Sequence, residues 1–306
     1  MKIISDLNEF DKTKRSAVAI GKFDGIHVGH KELLSNILEK KKEGLLSVVF
    51  TFDTSAASFF AGKEIKEVTT ISEKRLIFEY IGVDVLVEFP LTEESARISP
   101  EDFIKDVLVQ KLNMSYIAAG DDISYGYKGM GDADLLKKFA DEYGYQVNII
   151  NKVMYGTDPI SSTMVRDEIS MGHMGTVTEL LGHHYSFTGS VGTGKQLGRT
   201  LGMPTLNLYP DAEKILPPFG VYYSNVISDG NVYHGITNIG VRPTVSEGER
   251  ISVETYLYDF NKDMYGKKIA TELISFKRPE MKFKDVTELK ERMQQDIREG
   301  REFFHI

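Results

Sequence analysis

The sequence predicts two folds in tandem: an α/β domain on a parallel sheet, then an antiparallel β-barrel or sandwich that ends in a helix. From Ser16 to Asn151, short β-rich runs alternate with amphipathic helical stripes, which is typical of a parallel sheet covered by helices on both faces. From Tyr185 to Phe276, β-branched and aromatic runs are separated by turn clusters and show little helical periodicity. The stretch Val286–Phe304 is typical of one amphipathic helix.

The elements of the α/β part follow from apolar runs and helix-boundary signals. Five β-rich runs are predicted strands: Ser16–Ile20, Leu45–Phe52, Val83–Phe89, Ser115–Ala119 and Tyr145–Asn151. Four stretches between them are predicted helices: residues 28–42, Glu73–Ile81, Ser99–Leu112 and Asp132–Tyr143. The first helix stops before Gly44, and the third begins at Ser99-Pro100, which supplies a cap and a first-turn proline.

The β part has its own strands and sets the domain boundary. Its predicted strands include Gly220–Ile227, Val232–Thr237, Ile251–Tyr258 and Ile269–Phe276. A chain of 306 residues exceeds what one core usually supports, so two domains are expected. The hydrophobic period changes after about Gly182, which predicts domains at residues 1–183 and 184–306.

Composition excludes several classes of function. The formal net charge is −8 and the pI is about 5.5, so no basic surface for nucleic acid is expected. The chain has no cysteine, which excludes disulfides, thiolate metal sites and a cysteine nucleophile. The start of the chain turns charged at once, and no apolar run is long enough to span a bilayer. We therefore expect a cytoplasmic protein without membrane partners.

The first motif lies between the first predicted strand and helix. Residues 21–30 read Gly-Lys-Phe-Asp-Gly-Ile-His-Val-Gly-His, at a strand end where a helix N-terminus favours phosphate. His27 and His30 are three residues apart, so both rings can face one point, and Gly29 leaves room for a flat base. A pair of surface or capping histidines is the plain alternative. A zinc site is disfavoured because the spacing is not four and no third ligand is evident.

The second motif is a hydroxyl cluster before a helix that ends near Gly172. Ser161, Ser162 and Thr163 can cap that helix, but a cap needs only one hydroxyl. With Arg166 one turn later, the group could hold pyrophosphate.

A third stretch imitates a P-loop. Residues 189–196 read Gly-Ser-Val-Gly-Thr-Gly-Lys-Gln, but Gln196 stands where a P-loop needs Ser or Thr. The residues that follow are rich in glycine and end at Pro204, which disfavours the helix that a P-loop requires.

Taken together, the motifs resemble the prokaryotic bifunctional riboflavin kinase/FAD synthetase family. Residues 23–30 resemble the His-x-Gly-His element of nucleotidyltransferases, and residues 160–166 resemble an Ile-Ser-Ser-Thr-x-x-Arg element. Residues 198–208, 237–244 and 253–260 resemble three elements of riboflavin kinases. The resemblance implies a Rossmann-like nucleotidyltransferase domain followed by a riboflavin kinase β-barrel. It also implies riboflavin, FMN and ATP as substrates, FMN and FAD as products, and Mg2+ as cofactor.

The resemblance assigns roles to residues of the first domain. The catalytic residues would be His27, His30 and Arg166. The ATP-binding residues would be Gly21, Phe23, Asp24, Gly25, Gly29, Ser161, Ser162 and Thr163. Asp121, Asp122 and Tyr125 would bind the flavin, although a plain acidic loop is an alternative for this stretch. Here Ile123 and Tyr125 stand where the family has phenylalanines.

The resemblance likewise assigns the second domain. Gly198, Arg199 and Pro204 would bind ATP, and Arg242 the flavin. Thr205 and Asn207 alternate along a strand, so their oxygens would share a face and suit magnesium; an edge strand with two exposed polar residues is the alternative. Glu254 would be the catalytic base, and the pattern leaves open whether it faces outward and is solvated or faces inward and is functional.

One departure from the family pattern concerns the second strand. The family reads Phe-x-Pro-His-Pro there, whereas this chain reads Phe52-Asp53-Thr54-Ser55-Ala56. Two alternatives to the bifunctional enzyme stay open: an active kinase with a weak or altered adenylyltransferase half, and a flavin-binding regulator without turnover. Oligomeric state is not predicted.

Overall fold

The computed structural model describes residues 1–53, 59, 65–194, 198, 201–244 and 248–306, and the side chains of residues 242–244 and 248–249 are left out of the description. The chain forms two compact units, Met1–Ser162 and Thr163–Ile306. The boundary between the packed units, after residue 162, comes earlier in the sequence than the predicted domain boundary after residue 183. The helix Met174–Leu181 packs on strands of the second unit, which accounts for the difference. The boundary between catalytic modules at 183/184 stays a prediction.

The first unit contains the predicted parallel sheet. Its strands are β1 (Lys2–Ile4), β2 (Ser16–Ile20), β3 (Leu46–Phe52), β4 (Val85–Phe89), β5 (Met114–Gly120) and β6 (Gln146–Ile150). They run parallel in the order β1-β4-β3-β2-β5-β6. Strand β2 is buried along its whole length, because helices cover both faces of the sheet centre. β1 is a strand that sequence periodicity missed, since three residues are too few to show a period.

Helices and one hairpin connect these strands. The helices are α1 (Val28–Glu39), α2 (Ile71–Tyr80), α3 (Pro100–Asp102) continued by a π-helix (Phe103–Lys111), α4 (Ala133–Lys138) and α5 (Ala140–Tyr143). The hairpin pairs β7 (Met154–Tyr155) with β8 (Asp158–Pro159). The helix α6 (Ser162–Met171) begins where this unit ends. The predicted helices are confirmed, with boundaries shifted by a few residues.

The second unit is a curled antiparallel sheet that ends in a helix. After α7 (Met174–Leu181) come β9 (Tyr185–Ser190), β10 (Thr205–Leu208), β11 (Gly220–Ser228), β12 (Asn231–Thr244), β13 (Gly248–Leu257), β14 (Lys268–Pro279) and α8 (Val286–Phe304). The strand order is β10-β13-β12-β11-β14-β9. The edges β9 and β10 approach each other, and Gly192 pairs with Asn207 in an isolated antiparallel bridge. A single curled sheet favours the barrel over the sandwich.

Side chains alternate between the inside and the outside of this curled sheet. Val253 and Thr255 on β13 are each 1% exposed and pack inside, where Thr255 shares a hydroxyl contact with Thr237. Helix α8 packs against the outer face, where the ring of Phe303 stacks on Tyr223 at a centroid distance of 4.2 Å. The polar row described below lies on this same outer face.

Among the residues that the structure describes, no helix has the length and apolar character needed to cross a membrane. Within those residues no group of three or more histidine, aspartate or glutamate side chains is arranged to hold a metal.

Candidate active sites

The loop between β2 and α1 has an unusual backbone. Phe23, Gly25 and Ile26 have φ values of 50°, 86° and 44°. Glycine adopts this left-handed region readily, whereas Phe and Ile adopt it at a cost on the order of 1–3 kcal/mol each. Burial offsets that cost, because both side chains are in the core and the Phe23 ring meets the edge of Phe78 at 5.6 Å. The loop therefore holds a single conformation directly before α1.

Asp24 anchors this loop from inside. Its side chain is 6% exposed, and its Oδ1 atom accepts hydrogen bonds from the backbone N–H groups of Val68 and Thr69, at 2.8 and 3.1 Å. Its carbonyl oxygen accepts a hydrogen bond from Ser162 Oγ at 2.9 Å. The structure thus shows a positioning role for Asp24, and direct ATP contact stays a prediction.

The two predicted histidines are in contact at the start of α1. Their rings stack with a centroid distance of 3.7 Å and an interplanar angle of 19°. His27 is the N-cap of α1, and its Nδ1 atom accepts from the backbone N–H of His30 at 3.4 Å. His30 Nδ1 is buried and has no hydrogen-bond partner among the described residues. The pair therefore combines a helix cap with a buried nitrogen atom that has no partner within the described part of the chain.

Burial keeps both imidazoles neutral. It lowers the pKa of His27 to about 4, against a smaller opposing effect of the Asp24 and Asp122 carboxylates. Burial also lowers the pKa of His30, and the neighbouring His27 and Lys74 lower it further. At neutral pH without ligand, the two rings are hydrogen-bonding groups rather than cations.

Two of the three glycines in the motif make room for neighbouring side chains. A Cβ atom at Gly29 would lie 3.3 Å from Cε1 and Nδ1 of His27, and one at Gly21 would lie 3.2 Å from the Phe23 ring. The sequence argument expected Gly29 to admit a flat base. In the structure, the His27 ring occupies the space beside Gly29. The absence of a side chain at Gly29 therefore makes room for the stacked pair of histidine rings.

The hydroxyl cluster lies at the start of α6. Ser162 is the first residue of this helix, and its hydroxyl bonds to the loop of Asp24. Thr163 and Arg166 follow within the first two turns, and Ser161 immediately precedes the helix. One predicted site residue is thus joined directly to the first motif by a hydrogen bond. Phosphate binding by the other three stays a prediction.

The predicted flavin loop follows β5. Asp122 is exposed and pairs with Lys152 at 3.0 Å, and the backbone N–H of Asp121 donates to Ile150 O. Tyr125 is 4% exposed, packs against Phe103, and donates its hydroxyl to Asp132 O. Burial raises the pKa of this phenol. The structure places Tyr125 in the core, and flavin contact by these three residues stays a prediction.

In the second unit, strand register joins three polar residues in a row. Asn207 on β10 lies opposite Glu254 on β13, which lies opposite Asn238 on β12. Thr205 lies two residues before Asn207 and faces Tyr256, so both predicted metal ligands are on the Glu254 face. Directly opposite residues have Cβ atoms about 4.5–5.5 Å apart. The predicted ligands and the predicted base are therefore neighbours.

The orientation of Glu254 differs from both alternatives that the sequence left open. Its strand neighbours Val253 and Thr255 face the interior, so Glu254 faces outward. It is nevertheless half-buried, and its Oε1 atom accepts a hydrogen bond from Ser252 Oγ at 3.2 Å. The predicted site residues of this sheet lie on its outer face, because the interior is filled by the core.

A glycine-rich segment lies against Asn207. A Cβ atom at Gly194 would lie 2.7 Å from Oδ1 and Nδ2 of Asn207, and one at Gly192 would lie 2.8 Å from the Tyr209 ring. Asn207 is 3% exposed, and its Nδ2 atom donates to Thr205 O at 3.2 Å, which orients the carboxamide. Part of the rejected P-loop thus packs on the predicted metal ligands, a role that sequence reasoning missed.

The remaining predicted residues of this unit are partly described. Gly198 O accepts hydrogen bonds from the N–H groups of Leu201 and Met203, which forms a tight turn before Pro204 and β10. Arg199 lies outside the described residues, as do residues 54–56 of the altered Phe-x-Pro-His-Pro stretch. Arg242 is on β12, and its side chain is outside the description.

Both halves of the chain are similar in sequence to known protein families. A family model for FAD synthetase matches residues 9–164, and one for riboflavin kinase matches residues 181–304. An Escherichia coli K12 protein named bifunctional riboflavin kinase/FMN adenylyltransferase is 34% identical over 311 residues, which cover 100% of this chain and 99% of the relative. A Listeria monocytogenes protein of the same name is 32% identical over 290 residues, covering 94% of this chain and 92% of the relative.

A solved structure matches over the same length. The crystal structure of a protein described as a macrolide-efflux protein from Streptococcus pneumoniae aligns with a TM-score of 0.83 and 28% identity, and covers 98% of each chain. The aligned region therefore includes both units.

Proposed function

The chain belongs to the bifunctional riboflavin kinase/FMN adenylyltransferase family, and from this membership we propose how its residues divide the two reactions. The enzyme phosphorylates riboflavin to FMN with ATP and adenylylates FMN to FAD. The second unit carries the kinase site and the β2–α1 loop carries the adenylyltransferase site. The efflux activity attributed to the Streptococcus protein is not adopted, since both family models and the curated relatives name flavin transferases.

In the kinase site, the flavin 5′-hydroxyl attacks the γ-phosphorus of ATP. The proposal rests on one observation: Glu254 on β13 lies directly opposite Asn207 on the neighbouring strand β10. A hydroxyl is a weak nucleophile, so Glu254 accepts its proton as the O–P bond forms. Ser252 holds the carboxylate through its hydrogen bond. The ADP that leaves takes the bonding electrons of the broken P–O bond.

The donor atoms at Thr205 and Asn207 fit Mg2+. A hydroxyl and a carboxamide oxygen on one face are hard oxygen ligands. Gly194 packs against the Asn207 carboxamide, and a Cβ atom there would displace it. When bound there, Mg2+ offsets negative charge on the ATP phosphates. The family resemblance supports ATP binding by Gly198, Arg199 and Pro204 and flavin binding by Arg242; Arg199 and the Arg242 side chain lie outside the described residues.

In the adenylyltransferase site, the FMN phosphate attacks the α-phosphorus of ATP and expels pyrophosphate. This nucleophile is already ionised, so no base is required. Catalysis rests on alignment and on charge stabilisation. His27 and His30 donate N–H groups to phosphate oxygens, and Ser161, Ser162, Thr163 and Arg166 hold the opposite side. Asp121 and Asp122 border the flavin.

One experiment separates the two assignments. Each variant is incubated with riboflavin, ATP and Mg2+, and FMN and FAD are quantified separately by chromatography. Glu254→Gln is expected to lower FMN formation by roughly 10²–10⁴-fold while added FMN is still converted to FAD. The double variant His27→Ala, His30→Ala is expected to make FMN and accumulate it. Unchanged riboflavin phosphorylation in Glu254→Gln, or FAD at the parent rate in the double variant, would remove the residue concerned from its role.

The same assay on the parent protein tests the second candidate function. Residues 53–56 lack the Pro-His-Pro of the family, which favours an altered adenylyltransferase half. FMN without FAD would support that candidate, and neither product would support a flavin-binding regulator. A cytoplasmic location and the absence of nucleic-acid partners stay predictions, supported by the need for ATP and by the net charge of −8.

A further inference from the structure

Tyr209 joins the glycine-rich segment, residues 192–194, to strand β10. Its hydroxyl donates a hydrogen bond to Thr193 O at 2.8 Å, and a Cβ atom at Gly192 would lie 2.8 Å from its ring. The backbone N–H of Gly192 donates to Asn207 O at 2.9 Å. The segment is therefore attached at two points, one at the backbone of Asn207 and one at the side chain of Tyr209.

Arg250 covers the ring of Tyr209 from the neighbouring strand. Its guanidinium carbon lies 4.0 Å from the ring centroid, which is the distance of a cation–π contact. Arg250 is on β13, four residues before Glu254, so both side chains are on the outer face of the sheet. Tyr209 follows Asn207 by two residues and shares the face of that side chain. The ring of Tyr209 thus links the glycine-rich segment to the strand that carries the predicted base.

These contacts lie at the surface, so their effect is expected in nucleotide binding rather than in folding. Arg250 is exposed and Tyr209 is half-buried, and single contacts of this kind are weak on the scale of a whole fold. A segment with two glycines in three residues loses more backbone freedom on ordering than a segment of larger residues does. When the segment is ordered before the nucleotide binds, that cost is removed from the binding step.

We propose that Tyr209, with Arg250 on its ring, is a positioning residue that holds the glycine-rich segment against Asn207 and thereby raises the affinity of the kinase site for MgATP. The proposal rests on the kinase assignment above, in which Asn207 is a ligand of Mg2+. Gly194 packs on the Asn207 carboxamide, so displacement of the segment allows that ligand to move. Neither Tyr209 nor Arg250 takes part in proton or phosphoryl transfer.

The first test compares Tyr209→Phe with the matched control Tyr265→Phe, which removes the hydroxyl of an exposed tyrosine in the same unit. Initial rates of FMN formation are measured against the MgATP concentration at saturating riboflavin. Loss of the hydrogen bond to Thr193 O is expected to raise the KM for MgATP about 2–10-fold in Tyr209→Phe. The kcat, the KM for riboflavin and the conversion of added FMN to FAD are expected to keep the parent values.

A double-mutant cycle tests whether Arg250 acts through the ring. Arg250→Leu alone is expected to raise the KM for MgATP about 2–5-fold, as for loss of an exposed cation–π contact. Added to Tyr209→Leu, which removes both the ring and the hydroxyl, the same change should have no further effect. A further rise in the double variant would show that Arg250 contacts the nucleotide by itself, and would overturn its positioning role.

Two other results would contradict the proposal. One is a parent-like KM for MgATP in both Tyr209→Phe and Tyr209→Leu. The other is a lower kcat and a higher KM for riboflavin together with a lower temperature of thermal unfolding, which would assign Tyr209 to the fold. A parent protein that made no FMN at all would instead overturn the kinase assignment.

Discussion

At the scale of single residues, Gly194 lies where any side chain would meet the proposed Mg2+ ligand Asn207. A Cβ atom at this position would lie 2.7 Å from both polar atoms of the Asn207 carboxamide. Gly194→Ala is therefore expected to move that carboxamide and to lower kinase kcat/KM by about 100-fold, as misplacement of a positioned group does. The Mg2+ concentration for half-maximal rate should rise in parallel.

Gly175→Ala is the matched control for this prediction. Gly175 lies in α7, where an added Cβ atom meets nothing within 4 Å, so kinase kinetics should match those of the parent. Kinetics of Gly194→Ala indistinguishable from this control would contradict the assigned role of Asn207.

His27 makes stability depend on pH in a defined direction. Its folded pKa is about 4, whereas an unfolded histidine titrates near 6.5. Between these values the unfolded chain binds the proton and the folded chain does not, so stability is present above pH 6.5 and is lost as the pH falls towards 4. Denaturant unfolding at pH 7, 6 and 5 should show a steeper loss for the parent than for His27→Gln.

The largest slope from this one group is about 1.4 kcal/mol per pH unit. His305→Gln, which replaces an exposed histidine near the end of the chain, should retain the slope of the parent. Identical slopes for the parent and His27→Gln would show that the ring is already protonated or exposed in the folded protein.

At the scale of elements, α8 is held to the outer face of the curled sheet by a buried carboxylate. Asp296 is 3% exposed and accepts from Arg278 at 2.5 and 3.0 Å, and it pairs with Arg292 at 2.8 Å. Asp296→Asn leaves two guanidinium groups without their charge partner. Unfolding free energy is expected to fall by about 3–5 kcal/mol in urea titrations of the whole chain.

Glu291→Gln, an equal change of charge at an exposed site of the same helix, is expected to stay within about 0.5 kcal/mol of the parent. A loss below about 1 kcal/mol in Asp296→Asn would mean that ring stacking at Phe303, and not the ion pairs, holds the helix.

At the scale of the whole molecule, we expect the two proposed sites to catalyse separate reactions, with FMN released by one site and bound by the other. The imidazole pair lies in the unit Met1–Ser162 and the Glu254 row in the unit Thr163–Ile306, each with its own core. A mixture of Glu254→Gln with His27→Ala, His30→Ala is therefore expected to convert riboflavin to FAD, although neither protein does so alone. Chromatography of the mixture checks this, and failure at high protein concentration would require FMN transfer within one molecule.

Sequence pattern alone predicted both folds, because the period of hydrophobic residues along a strand or helix is a local property. The site residues His27, Ser162, Asn207 and Glu254 were predicted from motifs that resemble the family, and their roles stay predictions. The coordinates were needed to show that Glu254 faces outward, that Tyr125 belongs to the core, and that Gly194 packs against Asn207. The reason is physical: strand register and loop packing bring residues distant in sequence into contact, and no local period records which residues will meet.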